Sequence, residues 1–463
     1  MYEAMKKSFL FLVVLLTCVH LFSQTVSKKL DEAYQKFEKD SQLTNAVASL
    51  YVINANTGEV VFDKNSTIGL ATASTLKIIT AATAYELLGK DFKYKTEFGY
   101  TGKVAGKKLL GNFYIKPSGD PTLGSWRYKA SSDTVILDQL FSAIRKMNIS
   151  GYGSFDIDNS AWKSETIPDG WIWQDIGNYY GAGPTGFNWR ENQFDIIMKS
   201  GARIGEPVRI VQTKPKLETI TIGSLATSAA KGSGDNSYVY YPLHSTATII
   251  RGTIPVDEER FTISAANPTP VTEFQTMLVH QLASKYRMHP LYVDGSSKDS
   301  TILFTHYSPS LDSIVYWFLK KSINLYGEAL AKTLAYQQNG FGDTKKGVEI
   351  IKNFWKEKGI APTELNIVDG SGLSPLNRVT THAQVRVLKY AMGQPWFKGY
   401  YDAFPQYNGM KMKSGTISDV KGFCGYQKSN DGNEYIFSLL VNNYNGSSSS
   451  LVQKMYEVLD ELK

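Results

Sequence analysis

Ser74-Thr75-Leu76-Lys77 sets a hydroxyl and an amine three positions apart at the start of a nearly all-apolar stretch, STLKIITAATAYELLG. On a helix the two side chains lie one turn apart on one face and can meet. A hydroxyl becomes a good nucleophile only when a base takes its proton. A lysine held in an apolar pocket loses its preference for the charged form and can be that base. The N–H groups at the start of such a helix can stabilise an oxyanion. The spacing alone is weak evidence, because S-x-x-K recurs at Ser160/Lys163, Ser228/Lys231 and Ser418/Lys421. A capping serine beside a snorkelling lysine accounts for an isolated match. Ser74 differs in context: a charged lysine in a helix that is apolar nearly all round needs a reason.

Ser322-Ile323-Asn324 falls at a break between two helical patterns, PSLDSIVYWFLKKS and NLYGEALAKTLAYQQNG. From an interhelical turn the hydroxyl can pass a proton and the carboxamide can hold an amide. Capping of the helix junction reads equally well for the pair in isolation. Lys413-Ser414-Gly415-Thr416 lies in a strand pattern. Its lysine supplies positive charge, its hydroxyls suit a carboxylate, and its glycine admits close approach of a substrate backbone. Met198-Lys199-Ser200-Gly201 repeats the MKSG tetrapeptide, but it precedes Ser322 and is followed by Ala202, so order and context set it aside.

The elements that must position these groups are far apart in the chain. ASLYVINANTGEVVFD, at 48–63, alternates on both sides of an Asn56-Thr57-Gly58 turn and predicts a hairpin. The helix that carries Lys77 follows and stops at Gly89. From about 94 to 298 the pattern changes to short β-rich runs, glycine turns and many aromatics, including five of the eight tryptophans. Helical patterns then return, followed from 409 by the strands KMKSGTI, KGFCGYQK and EYIFSLLVNN and a last amphipathic helix. One α+β domain cut by a long insertion explains this order better than three domains in series. The expected parts are 25–93 and 299–463 for that domain and 94–298, mainly β, for one or two inserted domains.

Composition narrows the alternatives. A 42% apolar share over 463 residues excludes wholesale disorder. The net charge of +7 is spread over the chain without a basic block, so nucleic acid is not an expected partner. Two cysteines, Cys18 and Cys424, exclude a disulfide framework and a cysteine-rich zinc site. Six histidines without HxH or HExxH spacing point to neither a metal nor a Ser-His-Asp triad. Lys6-Lys7 and the apolar run from Phe9 to Phe22 read as a signal peptide over 1–23, hence export to the periplasm. Acylation of Cys18 would need a small residue before it; Thr17 stands there, and the apolar run continues beyond.

S-x-x-K, S-x-N and K-[ST]-G in that order resemble the signature of penicillin-binding proteins and serine β-lactamases. Gly119-Asp120-Pro121-Thr122-Leu123, SINLYGEALAKTL at 322–334 and DGSGLSPLNRVT at 369–380 narrow the resemblance. They are similar to the D-alanyl-D-alanine carboxypeptidase/endopeptidase family, the low-molecular-mass class C penicillin-binding proteins. The resemblance implies a transpeptidase-like antiparallel sheet flanked by helices. It implies Ser74 as the acylated nucleophile, Lys77 as its base and Ser322 as proton relay to the leaving D-alanine. Asn324 would hold the substrate amide and Lys413 would support the electrostatics. Ser414 and Thr416 would bind the terminal carboxylate, with the N–H groups of Ser74 and Thr416 as oxyanion hole. Ser414 stands where many relatives have threonine, and the hydroxyl is kept. Asp369-Gly370-Ser371-Gly372 reads foremost as a tight turn; in such relatives it borders the site, with Ser374 and Arg378 helping to read the substrate side chain. Peptidoglycan stem peptides are the implied substrate, β-lactams the implied covalent inhibitors, and no cofactor or metal is called for. Loose contact with membrane or cell wall fits an exported protein. A serine β-lactamase and a non-catalytic peptidoglycan-binding protein are the rival readings. Of the aromatics around Trp171, Trp173, Asp175, Tyr179 and Tyr180, all but one or two are expected to pack rather than bind.

Overall fold

The computed structural model describes residues 26–243, 247–293, 299–430 and 432–463. The expected signal peptide, with Cys18, and the end of the inserted segment at 298 lie outside the described residues. The hairpin forms as β1, Val47–Asn54, and β2, Val60–Lys64. Successive side chains of β1 point to opposite faces: Leu50 and Val52 enter one core, Tyr51 and Ile53 another. Both faces of this strand are therefore covered. A short 3-10 turn, Ala73–Leu76, leads into α1, Lys77–Leu88, which ends on Gly89. Ser74 thus stands in the entry turn, and the regular helix starts at the lysine.

The segment that follows builds sheets of its own. In one of them Lys95–Thr101 pairs antiparallel with Ser300–Tyr307, so this sheet is completed by a strand beyond 298. Helices come next, among them α2, Leu311–Lys320; α3, Asn324–Asn339; α4, Thr344–Glu357; and α5, Thr381–Met392, with a short one at Phe397–Asp402. The last strands are β3, Met410–Ile417; β4, Val420–Lys428; and β5, Glu434–Asn442. β5 pairs with β1, giving the order β2-β1-β5-β4-β3 with Gln406–Tyr407 at the far edge, all antiparallel. Residues from the two ends of the chain thus share one sheet.

One face of that sheet is covered by a helix over 26–38 and by Ser448–Asp460, where Leu30, Tyr34, Leu451 and Met455 pack on Leu50, Val52 and Leu439. The other face carries α1 to α5, with Leu76, Ile79, Phe318, Tyr326, Leu330 and Leu388 packed around Tyr51 and Ile436. α1 is buried nearly all round between the sheet and its sister helices, as an apolar helix must be. Among the described residues no helix is long and apolar enough to cross a membrane.

Candidate active site

The turn carrying Ser74 is held from several sides. Thr75 Oγ1 donates to the Thr72 carbonyl at 2.8 Å and accepts from Gln384 Nε2 on α5, also at 2.8 Å. Gln384 Oε1 in turn accepts from Ser438 Oγ of β5 at 2.6 Å, which ties turn, helix and sheet together. Ala73 adopts φ +46°, a left-handed conformation unusual for a residue with a Cβ. Two glycines close on this turn. A Cβ on Gly372 would lie 1.9 Å from the Ala73 carbonyl oxygen, and one on Gly415 would lie 2.5 Å from that of Thr72 and 3.1 Å from Ser74 N. The K-S-G glycine, read from sequence as room for substrate, is therefore needed for the approach of the Ser74 turn's own backbone.

Lys77 is fully buried, and its Nζ lies 2.7 Å from Ser74 Oγ, 2.6 Å from Asn324 Oδ1 and 2.7 Å from the Ser371 carbonyl. Burial holds its amine well below the usual lysine range, and the like charge of Lys413 adds to this; the Asp369 and Glu328 carboxylates act in the opposite sense. A neutral amine has two hydrogens and one lone pair. In that form, with Asn324 Oδ1 and the Ser371 carbonyl taking the hydrogens, the lone pair would face the Ser74 hydroxyl, an arrangement that suits a base beside a nucleophile.

Ser322 sits in the three-residue link between α2 and α3 with φ +57°. Its Oγ accepts from Lys413 Nζ at 2.9 Å, and Lys413 also reaches the Ser414 carbonyl at 2.7 Å. Burial brings the Lys413 amine down to about 7. Asn324, the first residue of α3, joins Lys77 through Oδ1 and donates through Nδ2 to the Tyr180 carbonyl at 2.8 Å. Ser74, Lys77 and Asn324 thus form one hydrogen-bonded group and Ser322 and Lys413 a second, the two drawn from three separate stretches of chain.

They face a cleft of about 680 Å³ whose lining includes Ser74, Ser322, Asn324, Thr416, Ile172, Asp175 and Tyr180. Gln406–Tyr407 pairs only with Met410 and Lys411, and Met412 N donates to the Pro405 carbonyl at 3.1 Å, so beyond Met412 no strand pairs with the outer edge of β3 as far as Ile417. Thr416 is exposed and its Oγ1 accepts from Lys421 Nζ at 2.8 Å. Ser414 is half-buried on the same strand and outside the cleft lining. Ser374 is buried, donating to the Gly170 carbonyl at 3.0 Å, while Pro375 and Leu373 beside it line the cleft. Arg378 is exposed and turned back on its own loop, donating to the carbonyls of Pro375 and Asn377. The structure brings neither the Ser374 hydroxyl nor the Arg378 guanidinium to the cleft.

Sequence reasoning missed several groups. Asp369 is fully buried and accepts from Gly372 N and Ser374 N at 2.7 Å, Asn377 Nδ2 at 2.9 Å and Trp171 Nε1 at 3.0 Å. Glu328 is buried one turn beyond Asn324 on α3, and burial, with Asp369 nearby, raises its carboxyl to about 8. A glutamate inside an apolar helix carries the same signal that singled out Lys77. Of the aromatics, Trp171 and Trp173 pack, the latter on Tyr240 at 4.7 Å, whereas Tyr179 and Tyr180 line the cleft.

An antiparallel sheet with helices on both faces, and the three motifs in their order around one cleft, define the class: serine enzymes that pass an acyl group through an active-site hydroxyl, as penicillin-binding proteins and serine β-lactamases do. A model of the D-Ala-D-Ala carboxypeptidase 3 (S13) family matches residues 26–462, and the chain belongs to that family. It is 24% identical over 450 residues to a D-alanyl-D-alanine carboxypeptidase of Actinomadura sp. (strain R39), covering 90% of this chain and 81% of the relative. Its fold is similar to that of penicillin binding protein 4 (dacB) from Haemophilus influenzae, with a TM-score of 0.77 at 20% identity over 93% of this chain and 98% of the other. The structure of that protein complexed with a β-lactam matches with a TM-score of 0.72 at 20% identity over 94% and 99% of the two chains.

Proposed function

We propose that the chain is an exported serine DD-peptidase that hydrolyses the D-Ala-D-Ala bond of peptidoglycan stem peptides through an acyl-enzyme on Ser74. The observation that carries this reading is the fully buried Lys77 amine, 2.7 Å from Ser74 Oγ. In the forward step Ser74 Oγ bonds to the carbonyl carbon of the penultimate D-alanine and its proton passes to Lys77 Nζ. The C–N bond to the terminal D-alanine breaks, and the leaving amine takes a proton through Ser322, which Lys413 contacts at 2.9 Å. Water then cleaves the ester and regenerates the serine.

The open edge of β3 beside the cleft suits a substrate lying along it in extended form, its backbone groups pairing with the strand. Lys413 and the hydroxyl of Thr416 supply positive charge and a donor for the terminal carboxylate. Asp175, the one acidic side chain among the described cleft residues, complements a cationic group on the substrate. The same geometry admits the peptide cross-link as substrate, so endopeptidase activity belongs to the proposal. So do a catalytic domain split around the inserted segment, its second part beginning after the strand Ser300–Tyr307 that pairs with Lys95–Thr101 and not at 299, and export by the leader at 1–23.

A labelled penicillin is the direct test. The reading expects one covalent adduct on Ser74, seen by intact mass, and none in Ser74→Ala. Rapid turnover of a chromogenic cephalosporin would favour a β-lactamase instead. Sedimentation with peptidoglycan that survives Ser74→Ala, with no D-alanine released by the wild type, would favour a binding protein. Product analysis on monomeric and cross-linked muropeptides separates carboxypeptidase from endopeptidase action.

A further inference from the structure

Beneath Lys77 the backbone of Gly370 is gripped from two helices, through the two successive peptide units that meet at its Cα. Its N–H points between the two carboxyl oxygens of Glu328 on α3, 3.1 Å from each, and its carbonyl accepts from Thr80 Oγ1 on α1 at 2.7 Å. The next carbonyl, that of Ser371, accepts from Lys77 Nζ at 2.7 Å. Glu328 itself is fully buried and makes no contact with the cleft. Around it stand Asp369 on the loop, Lys77 on α1 and Lys332 on its own helix.

The direction of the Lys77 lone pair depends on where its two hydrogens go. Asn324 Oδ1 fixes one; the Ser371 carbonyl fixes the other, and that carbonyl stands two peptide units along the same loop from the Gly370 N–H that Glu328 holds. We propose that Glu328 is a positioning residue: by anchoring the loop backbone at Gly370 it sets the Ser371 carbonyl and so aims the Lys77 amine at Ser74 Oγ. Either form of the carboxyl group offers an oxygen to Gly370 N, and so does the amide of glutamine. The proposed role rests on the position of this residue; its charge acts on Lys77 separately, opposing the effect of burial. The inference rests on Ser74 and Lys77 acting as proposed above.

The test separates the acylation rate constant from the preceding binding constant, using a fluorescent penicillin and stopped flow. The adduct formed at long times counts the folded sites. Glu328→Ala should acylate about tenfold more slowly or worse, with binding changed less than about twofold. Glu328→Gln should return the rate to within about threefold of wild type. Thr80→Val, which loses only the second grip on the Gly370 backbone, should slow acylation about threefold. Wild-type acylation rates in Glu328→Ala or Thr80→Val, or a glutamine variant as slow as the alanine one, overturn the proposal. Failure of the wild type to acylate at Ser74 sinks the functional reading instead, and so is distinguishable.

Discussion

Lys413 Nζ donates to Ser322 Oγ at 2.9 Å, joining the open-edged strand β3 to the link between two helices 91 residues earlier in the chain. The contact places a cation beside the hydroxyl that, in the proposed mechanism, hands a proton to the leaving amine. It also makes the cation titratable, because burial brings Lys413 to about 7.

The pH profile of kcat/KM follows from the two buried lysines. In the proposed mechanism Lys77 acts as the free base, so activity is lost on the acid side as it gains a proton. Lys413 acts there as the cation, present below about 7 and lost as pH rises through that value. The expected profile is a bell whose alkaline limb belongs to Lys413. Lys413→Arg, charged at every working pH, should have lower activity but no limb near 7, as read by penicillin acylation between pH 5 and 10. An unchanged alkaline limb in that variant would assign it elsewhere.

Gly415→Ala is expected to lower the acylation rate at least about 100-fold while leaving the protein folded. The added methyl would sit 2.5 Å from the Thr72 carbonyl oxygen and 3.1 Å from Ser74 N, both backbone atoms that no rotamer change can clear. Either the strand or the nucleophile's turn must shift, and a displacement of that order removes the alignment acyl transfer needs. A variant that reacts with penicillin at the wild-type rate would show that the approach is not essential.

Trp171 ties the inserted segment to the loop under Lys77 through its indole N–H on Asp369 Oδ2 at 3.0 Å. Trp171→Phe keeps the ring and removes one donor from a buried carboxylate. A loss of about 1–3 kcal/mol of stability is expected, visible as an earlier urea midpoint for the wave that includes the active site. Because Ile172, Asp175 and Tyr180 form one cleft wall just beyond it, KM for a stem peptide should rise more than kcat falls. An unmoved midpoint and an unmoved KM together would reduce Trp171 to a space-filling ring.

Much of this was legible because local chemistry and periodicity agreed. Lys77 was a charge without an excuse in an apolar helix, and it proved buried against Ser74. The hairpin around Asn56-Thr57-Gly58 and the three late strands carried period-two signals that survive in the sheet. What stayed hidden was pairing across the chain. Nothing local says that β1 lies beside β5, that Glu328 faces the amide of Gly370, or that Gly372 touches Ala73. DGSG reads as a turn from its composition and is one; its role as the floor under Lys77 comes from contacts with residues 290 or more positions away. Arg378 shows the converse: a cation in a suggestive motif whose side chain the backbone turns away from the cleft.

Asp120, in the Gly119–Leu123 segment, gives a stability prediction independent of catalysis. Its Oδ1 accepts from Thr122 N and Oγ1 at 2.8 and 2.7 Å, but Oδ2 has no hydrogen-bond partner among the described residues, and burial raises the carboxyl to about 6. The folded state therefore binds this proton more tightly than the unfolded chain does. Its contribution to stability is fully present below the unfolded value near 3.8 and is lost as pH rises through about 6. A shift of this size corresponds to about 3 kcal/mol. Asp120→Asn cannot ionise, so between pH 4 and 7 its melting temperature should depend less on pH than that of the wild type, the two differing most in the variant's favour at pH 7. Parallel curves over that range would mean that Asp120 keeps an ordinary carboxyl in the folded protein, with water reaching the oxygen that the fold leaves unpaired.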